Sequence, residues 1–372
     1  MIKSGDYQYI LLTDGTAELT NYTAYAKFLT VPAQIDGHAV VSIGRDAFTN
    51  SELLSNITLP DCLTTIGIDA FYECSSLTSI TLPNSLTSIG GGAFDYCTSL
   101  TSITLPDSLL SIGGNPFAHC DKLTQIQVSP DHSTLVTING VLFNKAEKEL
   151  ICYPYAFMQE SYTVPCGITS IGNNAFYECS SLTSITLPDN LTTIKAGAFS
   201  GCESLASITL PDSLAAIEAG AFSGCESLTN ITLPDSLTTI EAWAFSGCES
   251  LESITLPGSP TCIRNWAFSG CKSLASIALP NSLTTIGNGA FAGCESLTNI
   301  TLPNSLTTIG NGAFAGCESL TNITLPSSLT TIGNWAFESC SVSLSFTVVR
   351  GSWAENWCKE NGKNYTYSNS ID

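Results

Sequence analysis

The sequence predicts an α/β repeat solenoid: a right-handed superhelix of stacked units with a narrow parallel sheet, an N-terminal β-hairpin cap and a short C-terminal helical cap. The first observation is a 23-residue spacing, which phenylalanine keeps in two runs: Phe48, Phe71, Phe94 and Phe117, then Phe176, Phe199, Phe222, Phe245, Phe268, Phe291, Phe314 and Phe337. The second is a set of eleven cysteines on the same period, from Cys74 to Cys340. A fixed period of this length predicts stacked units, each covering the apolar side of its neighbour.

A representative repeat shows how one unit is built. Ile80 and Leu82 alternate with polar residues, which predicts a short strand with its apolar side chains turned inward. Pro83 ends that strand, because proline cannot donate to a sheet ladder. Residues 86–89 then predict a second extended piece, and residues 93–97 a short helical turn that closes the coil.

The same strings support a family resemblance. Leu-Thr-Ser-Ile-Thr-Leu-Pro at 77–83 matches the leucine-rich repeat template. Ser-Ile-Gly-Gly-Gly-Ala-Phe at 88–94 completes the repeat unit. Similar strings cover about residues 40–348. The chain therefore resembles the BspA-like leucine-rich repeat family. That resemblance implies a bacterial cell-surface or secreted protein with an adhesin-like role, whose partner is a host or matrix protein or a glycan.

We expect three parts in the chain. Residues 1–39 form an N-terminal cap, in which Asp14-Gly15 predicts a hairpin turn. Residues 40–348 hold the leucine-rich repeats, with one enlarged coil at about 121–166. Residues 349–372 form a C-terminal cap, where a short helix is expected to cover the last coil with Trp353 and Trp357.

The enlarged coil interrupts the period, because the distance from Phe117 to Phe176 is two periods plus 13 residues. The segments Leu135–Phe143 and Glu149–Tyr153, joined by a polar stretch, predict a hairpin that projects from the stack. Such an insertion either marks a binding face or is a structural island that the repeat tolerates.

Composition excludes several classes of partner. The net charge is −20, from 12 basic and 32 acidic residues, so the chain repels phosphate and nucleic acid is not expected to bind. No run of 18 apolar residues occurs, so membrane insertion is not expected. No signal peptide is visible at the start, which fits either a mature fragment of a surface protein or a cytoplasmic interaction scaffold. We expect a monomer.

The sequence indicates no enzyme. The three histidines are scattered, no nucleophile has a positioned base, and no phosphate-binding glycine motif occurs, so we assign no catalytic, metal or cofactor-binding residues. Acidic residues recur after the strand prolines and after the cysteines, which indicates a solvated acidic edge or, alternatively, a calcium site. The periodic cysteines indicate buried free thiols, with scattered disulfides or a redox role as alternatives.

Three surfaces are candidates for ligand binding: the outer face of the strands, a pair of tryptophans and the insertion described above. The outward strand positions form uniform, uncharged columns that suit a repetitive ligand, although paired threonine columns also stabilise a sheet without any ligand. Two tryptophans occupy the same site in neighbouring coils, and they either anchor a ligand or pack the turn. These ligand-binding candidates are Ser207, Thr209, Asn230, Thr232, Ser253, Thr255, Trp243 and Trp266.

Overall fold

The computed structural model describes residues 1–368. Its strands are β1 Ile2–Ser4, β2 Tyr7–Leu11, β3 Ala17–Tyr22, β4 Phe28–Thr30, β5 Gln34–Ile35, β6 His38–Ile43, β7 Asn56–Thr58, β8 Thr65–Ile66, β9 Ser79–Thr81, β10 Ser88–Ile89, β11 Ser102–Leu105, β12 Ser111–Ile112, β13 Gln125–Val128, β14 Leu135–Ile138, β15 Val141–Asn144, β16 Glu149–Cys152, β17 Ser161–Thr163, β18 Ser170–Ile171, β19 Ser184–Thr186, β20 Thr193–Ile194, β21 Ser207–Ile208, β22 Ala216–Ile217, β23 Asn230–Thr232, β24 Ser253–Thr255, β25 Cys262–Ile263, β26 Ser276–Ala278, β27 Thr285–Ile286, β28 Asn299–Thr301, β29 Thr308–Ile309, β30 Asn322–Thr324, β31 Thr331–Ile332, β32 Ser345–Val348 and β33 Tyr365–Tyr367. Helix in the described part is confined to α1, Trp353–Glu360, and a 3-10 turn at Tyr155–Phe157.

The chain forms two compact units, each a parallel β-solenoid. The first unit comprises Met1–Met158 with Ile171–Glu178, and the second comprises Gln159–Ser170 with the residues from Cys179 onward. In both, a coil contributes one strand of about three residues and one of two, and each pairs in parallel with its counterpart 23 residues away. The predicted strand and second extended piece are therefore two separate ladders.

The coil closes through turns, so the predicted helical turn in each repeat is wrong. Two positions in this segment adopt positive φ, as Gly220 (φ 63°) and Gly224 (φ 71°) do in one coil of the second unit. A residue in the left-handed region interrupts a right-handed helix, which explains why no helical turn forms.

The interior of each unit contains a row of stacked phenylalanine rings. Phe199, Phe222 and Phe245 are fully buried and stack with centroid separations of 5.3 and 5.6 Å. Phe48 and Phe71 of the first unit stack in the same way at 5.1 Å. The expected continuous interior row is confirmed within each unit.

The periodic cysteines are free thiols, as expected. The Sγ of Cys248 donates to the Phe222 carbonyl of the preceding coil at 3.2 Å, and Cys271 makes the same bond to Phe245. Burial raises the pKa of the Cys248 thiol to about 12, so it stays protonated and able to donate.

The first unit begins with an antiparallel arrangement of β1, β2 and β3, which we call the first meander (residues 2–22). It contains the predicted β2–β3 hairpin, with a bulge between Gln8 and Tyr9. Tyr22 takes the place of a repeat phenylalanine, because its N–H donates to the Ala47 carbonyl at 2.8 Å and its ring lies 5.3 Å from Phe48.

The insertion repeats this arrangement. β14, β15 and β16 form a second antiparallel meander (residues 135–152), with a bulge between Leu142 and Phe143. Tyr153 follows it as Tyr22 follows the first: its N–H donates to the Ala175 carbonyl at 2.9 Å, and its ring stacks 5.0 Å from Phe176. One further backbone hydrogen bond is common to the two meanders. The N–H of Gly44 donates to the Leu19 carbonyl at 2.7 Å in the first, and that of Gly172 donates to the Leu150 carbonyl at 2.8 Å in the second.

The predicted projecting hairpin of Leu135–Phe143 and Glu149–Tyr153 is therefore wrong. Asn139 and Gly140 both have positive φ and turn the chain, so the first segment is two strands rather than one. The segment is also interior. Its buried apolar side chains are Leu135, Val141, Leu142, Phe143, Leu150, Ile151, Cys152 and Tyr153.

The predicted short helix is α1, and one more strand, β33, follows it and pairs in parallel with β32. Ser352 Oγ accepts the N–H of Glu355 at 3.2 Å, while the Glu355 carboxylate accepts the N–H of Gly351 at 2.6 Å, a capping arrangement. Trp357 packs on the last coil, 6.1 Å from Phe337. Trp353, expected to share that role, is 38% exposed.

Candidate ligand-binding surfaces

The predicted polar columns lie on the outer face of the three-residue strands in the second unit. Parallel pairing of β23 and β24 places Asn230 beside Ser253 and Thr232 beside Thr255. The intervening isoleucines turn inward and are buried. All six predicted residues are exposed: Ser207, Thr209, Asn230, Thr232, Ser253 and Thr255. The face offers hydroxyl and amide groups at a regular spacing of about 4.8 Å.

The two predicted tryptophans lie on the turn side of the same unit. Trp243 is 47% exposed and Trp266 is 36% exposed, and their rings stack with centroids 5.4 Å apart. The ring of Trp266 lies over Gly289 of the next coil, where any Cβ would collide with it. The structure thus brings these two candidates together, and each ring keeps a solvent-facing surface.

The backbone beneath these tryptophans is unusual. Trp243 has φ 61° and Trp266 has φ 60°, in the left-handed region that bulky residues rarely adopt. The equivalent residue in other coils of this unit is glycine, at Gly197, Gly220, Gly289 and Gly312. A side chain in this conformation costs about 1–2 kcal/mol. The fold accepts glycine here, so tryptophan is not required for the turn itself.

A third tryptophan, Trp335, holds the same position in the last coil with φ 56°, and it is 71% exposed. It lines a cavity of about 460 Å³ at the C-terminal end of the second unit. The sequence does not predict this cavity, because it lies where the repeat stops.

The turn side of the first unit differs. His119 is largely buried, stacks on Tyr96 at 4.1 Å, and places Nε2 2.8 Å from the Glu178 carboxylate. Burial raises the pKa of the nearby Asp95 carboxyl to about 7, although the Ala118 N–H donates to it at 2.9 Å. His119 is thus held by a ring contact and a close approach to a carboxylate, which indicates a packing role.

The acidic columns are exposed along both units. Where a lysine enters one of them, Lys272 Nζ lies 2.6 Å from the Glu249 carboxylate, and this hydrogen bond raises the lysine pKa. Within residues 1–368, no group of three or more His, Cys, Asp or Glu side chains has an arrangement that could hold a metal ion. In the same part of the chain, no helix is long and apolar enough to cross a membrane.

The chain belongs to the BspA-type leucine-rich repeat family. Its family model matches residues 41–154, 149–275 and 238–351, and the repeat and fold described above are those of that class. No curated protein matches the chain.

Solved structures share the fold. A leucine-rich repeat protein from Eubacterium ventriosum is 24% identical, with a TM-score of 0.63, and covers 91% of this chain and 94% of its own. A leucine-rich repeat protein from Bacteroides ovatus is 25% identical over 99% of both chains, with a TM-score of 0.47. A leucine rich cell surface protein from Faecalibacterium prausnitzii is 28% identical, with a TM-score of 0.39, and covers 80% of this chain and 93% of its own. The first of these shares the architecture of this chain.

Proposed function

We propose that this protein is a non-catalytic recognition scaffold of the bacterial cell surface, secreted or surface-attached, which binds a host or matrix protein through the tryptophan pair of its second unit. The observation that carries the proposal is the pair itself: two stacked, half-exposed indoles held in a backbone conformation that suits glycine. Strained residues of this kind persist where they serve binding more often than where they serve folding.

The physical chemistry of the pair fits a protein ligand. Tryptophan is the residue type most enriched among binding anchors, because it offers a large rigid area at low entropic cost. Stacking fixes the two rings relative to each other, so little freedom is lost when a ligand covers them. The chain carries a net charge of −20, which favours a ligand with a basic patch.

The test is a binding panel of immobilised extracellular-matrix proteins and a glycan array, probed with the intact protein and two double variants. Trp243→Gly with Trp266→Gly removes both rings and keeps a residue suited to positive φ. Thr232→Lys with Thr255→Lys alters the strand face and leaves the turns unchanged. We expect the tryptophan variant to lose about tenfold or more in affinity and the strand-face variant to bind normally.

Other results redirect or contradict the proposal. Loss of binding only in the strand-face variant would assign recognition to the Ser, Asn and Thr columns. Binding confined to the glycan array would replace the protein partner with a saccharide. Absence of binding across the whole panel would contradict the adhesin-like role.

An intracellular interaction scaffold is the second candidate, and the cysteines favour it. All 16 cysteines are free thiols, and Cys166 is exposed. Free thiols persist most readily in a reducing compartment. Surface biotinylation of intact cells separates the two: labelling of this protein supports the surface assignment, and labelling only after lysis supports the intracellular one.

A further inference from the structure

The turn side of the second unit is held by a regular ladder of backbone hydrogen bonds. Gly312, Phe314 and Gly316 donate their N–H groups to carbonyls of the next coil, those of Asn334, Ala336 and Glu338, at 2.9, 2.8 and 2.8 Å. The same three-bond set recurs in five earlier coils, beginning at Gly197, Gly220, Trp243, Trp266 and Gly289. Each coil therefore receives alternate carbonyls from the one that follows it.

This ladder ends abruptly in the last coil. The N–H groups of Trp335, Phe337 and Ser339 are the next donors in the series, and none has an acceptor among residues 1–368. The α1 helix covers the apolar end of the coil through Trp357, yet it supplies no carbonyl to these three donors. Unpaired backbone donors are rare wherever water is partly excluded, because each carries a desolvation cost.

Trp335 and Phe337 line the cavity of about 460 Å³ at this end of the unit, and Ser339 directly follows the lining residue Glu338. Trp335 and Trp357 provide aromatic walls, and the polar rim carries both signs of charge, from Glu338 and Lys363. The cavity thus combines an apolar surface, a row of donors and a mixed-charge rim.

We propose that this cavity binds a peptide segment of a partner protein in the turn conformation of a repeat coil, whose alternate carbonyls accept the N–H groups of Trp335, Phe337 and Ser339. The site continues the coil-to-coil interface of the preceding six coils, so its hydrogen-bonding requirement is already defined: three acceptors on alternate residues. In the preceding interface the acceptors Asn334, Ala336 and Glu338 all lie in a turn segment, so a peptide with that conformation presents its carbonyls in the required arrangement. Peptide addition to an exposed edge of this kind supplies affinity through the main chain and specificity through side-chain pockets.

This inference is independent of the Trp243 and Trp266 surface, because the donors of those coils are already occupied. The N–H of Trp243 donates to the Asn265 carbonyl at 3.1 Å, and that of Trp266 to the Asn288 carbonyl at 2.8 Å. Within residues 1–368, the last coil is the only one in which an exposed tryptophan lies beside backbone N–H groups that have no acceptor in the turn ladder.

The probe is a synthetic peptide with capped ends and the sequence of residues 310–316, Gly-Asn-Gly-Ala-Phe-Ala-Gly. In the fold, Asn311, Ala313 and Ala315 supply their carbonyls to the coil before them. Binding to the full chain is measured by calorimetry, and amide hydrogen exchange is followed by NMR. We expect saturable binding and slowed exchange at Trp335, Phe337 and Ser339.

Two matched controls make the test specific. Trp335→Gly removes the aromatic wall and keeps a residue suited to positive φ; we expect affinity to fall about tenfold or more. Asp69→Gly is a change to glycine at the same repeat position of the first unit, where φ is 54° and the N–H already donates to the Gly91 carbonyl, and we expect no change. A peptide whose three accepting peptide bonds are replaced by alkene isosteres should also lose about tenfold.

The contrary outcomes are equally defined. No binding at millimolar peptide, equal loss in Asp69→Gly and Trp335→Gly, or full binding by the alkene peptide would each overturn the proposal. Binding of a soluble oligosaccharide that competes at Trp335 and leaves exchange at the three amides unchanged would assign the cavity to glycan.

Discussion

The first and second meanders are the same three-stranded device used in two settings. Both have a two-residue turn after the outer strand, a bulge in the inner pair and a tyrosine that continues the phenylalanine row. They differ in the outer strand: Ile2 of β1 is 41% exposed, whereas Leu135 of β14 is 2% exposed. The meander therefore closes the stack at the chain start and is covered on its outer side within the first unit. Capping depends on what the outer strand presents, and not on the meander itself.

The largest expected difference is between deleting the second meander and deleting the outer strand of the first. Replacing residues 135–153 by a two-residue turn deletes eight buried apolar side chains, each contributing about 1.5–3 kcal/mol when buried. Since domains are stable by only about 5–15 kcal/mol, we expect the first unit to lose cooperative unfolding in urea. Deleting residues 1–4 removes only exposed or half-buried side chains and should leave a cooperative transition.

If the internal deletion left the urea transition unchanged, the second meander would be dispensable. The contrast between the two meanders would then fail. Circular dichroism of each variant before unfolding controls for a chain that never folds.

The next comparison concerns the two tyrosines that continue the phenylalanine row. Tyr153 is 3% exposed and stacked on Phe176, so Tyr153→Ala should lower the free energy of unfolding by about 3–5 kcal/mol. Tyr22 is only half-buried, and Tyr22→Ala should cost roughly half as much. Urea titration at constant pH measures both. Equal losses would mean that burial of the ring does not distinguish the two settings.

Much of this fold could be predicted from the sequence, because a 23-residue period repeated eleven or more times leaves few alternatives. The phenylalanine row, the thiol column and the exposed strand columns all follow from which positions recur. The second meander could also have been found: Asn139-Gly140 is a strong hairpin signal, and Glu149-Leu150 followed by Tyr153 repeats Glu18-Leu19 followed by Tyr22. The length of the insertion alone does not predict this meander, whereas its resemblance to the start of the chain does.

Other features have no sequence signal. Positive φ at Trp243 and Trp266 is a property of the backbone path, and only the glycines at equivalent positions hint at it. The free donors of Trp335 and Phe337 arise because the ladder stops, while their own residues look like every other repeat. End effects of a solenoid must be determined from coordinates.

Ionisation provides a test that affects only the first meander. Burial, with the neighbouring Tyr22 and Asp6, raises the pKa of Tyr7 from 10.0 to about 12, while the second meander has Val141 at the equivalent place. The contribution of the protonated Tyr7 hydroxyl to the free energy of unfolding is therefore intact below pH 10. It is lost between pH 10 and 12, because the unfolded chain loses the proton at a lower pH than the folded chain does. Tyr7→Phe should therefore flatten the fall in urea midpoint over that window. Tyr25→Phe, at an exposed ring, is the matched control and should leave the slope unchanged.

The smallest expected effect lies in the turns after the outer strands, where Gly5 (φ 55°) corresponds to Asn139 (φ 51°). Asparagine tolerates the left-handed region, and a Cβ at Gly5 would meet no atom within 4 Å. Gly5→Asn and Asn139→Gly should thus each change the free energy of unfolding by less than about 0.5 kcal/mol. The following position differs, because a Cβ on Gly140 would collide with the Phe157 ring. Gly140→Ala should cost about 1–3 kcal/mol, and thermal unfolding that found it neutral would show that Phe157 does not hold this turn in place.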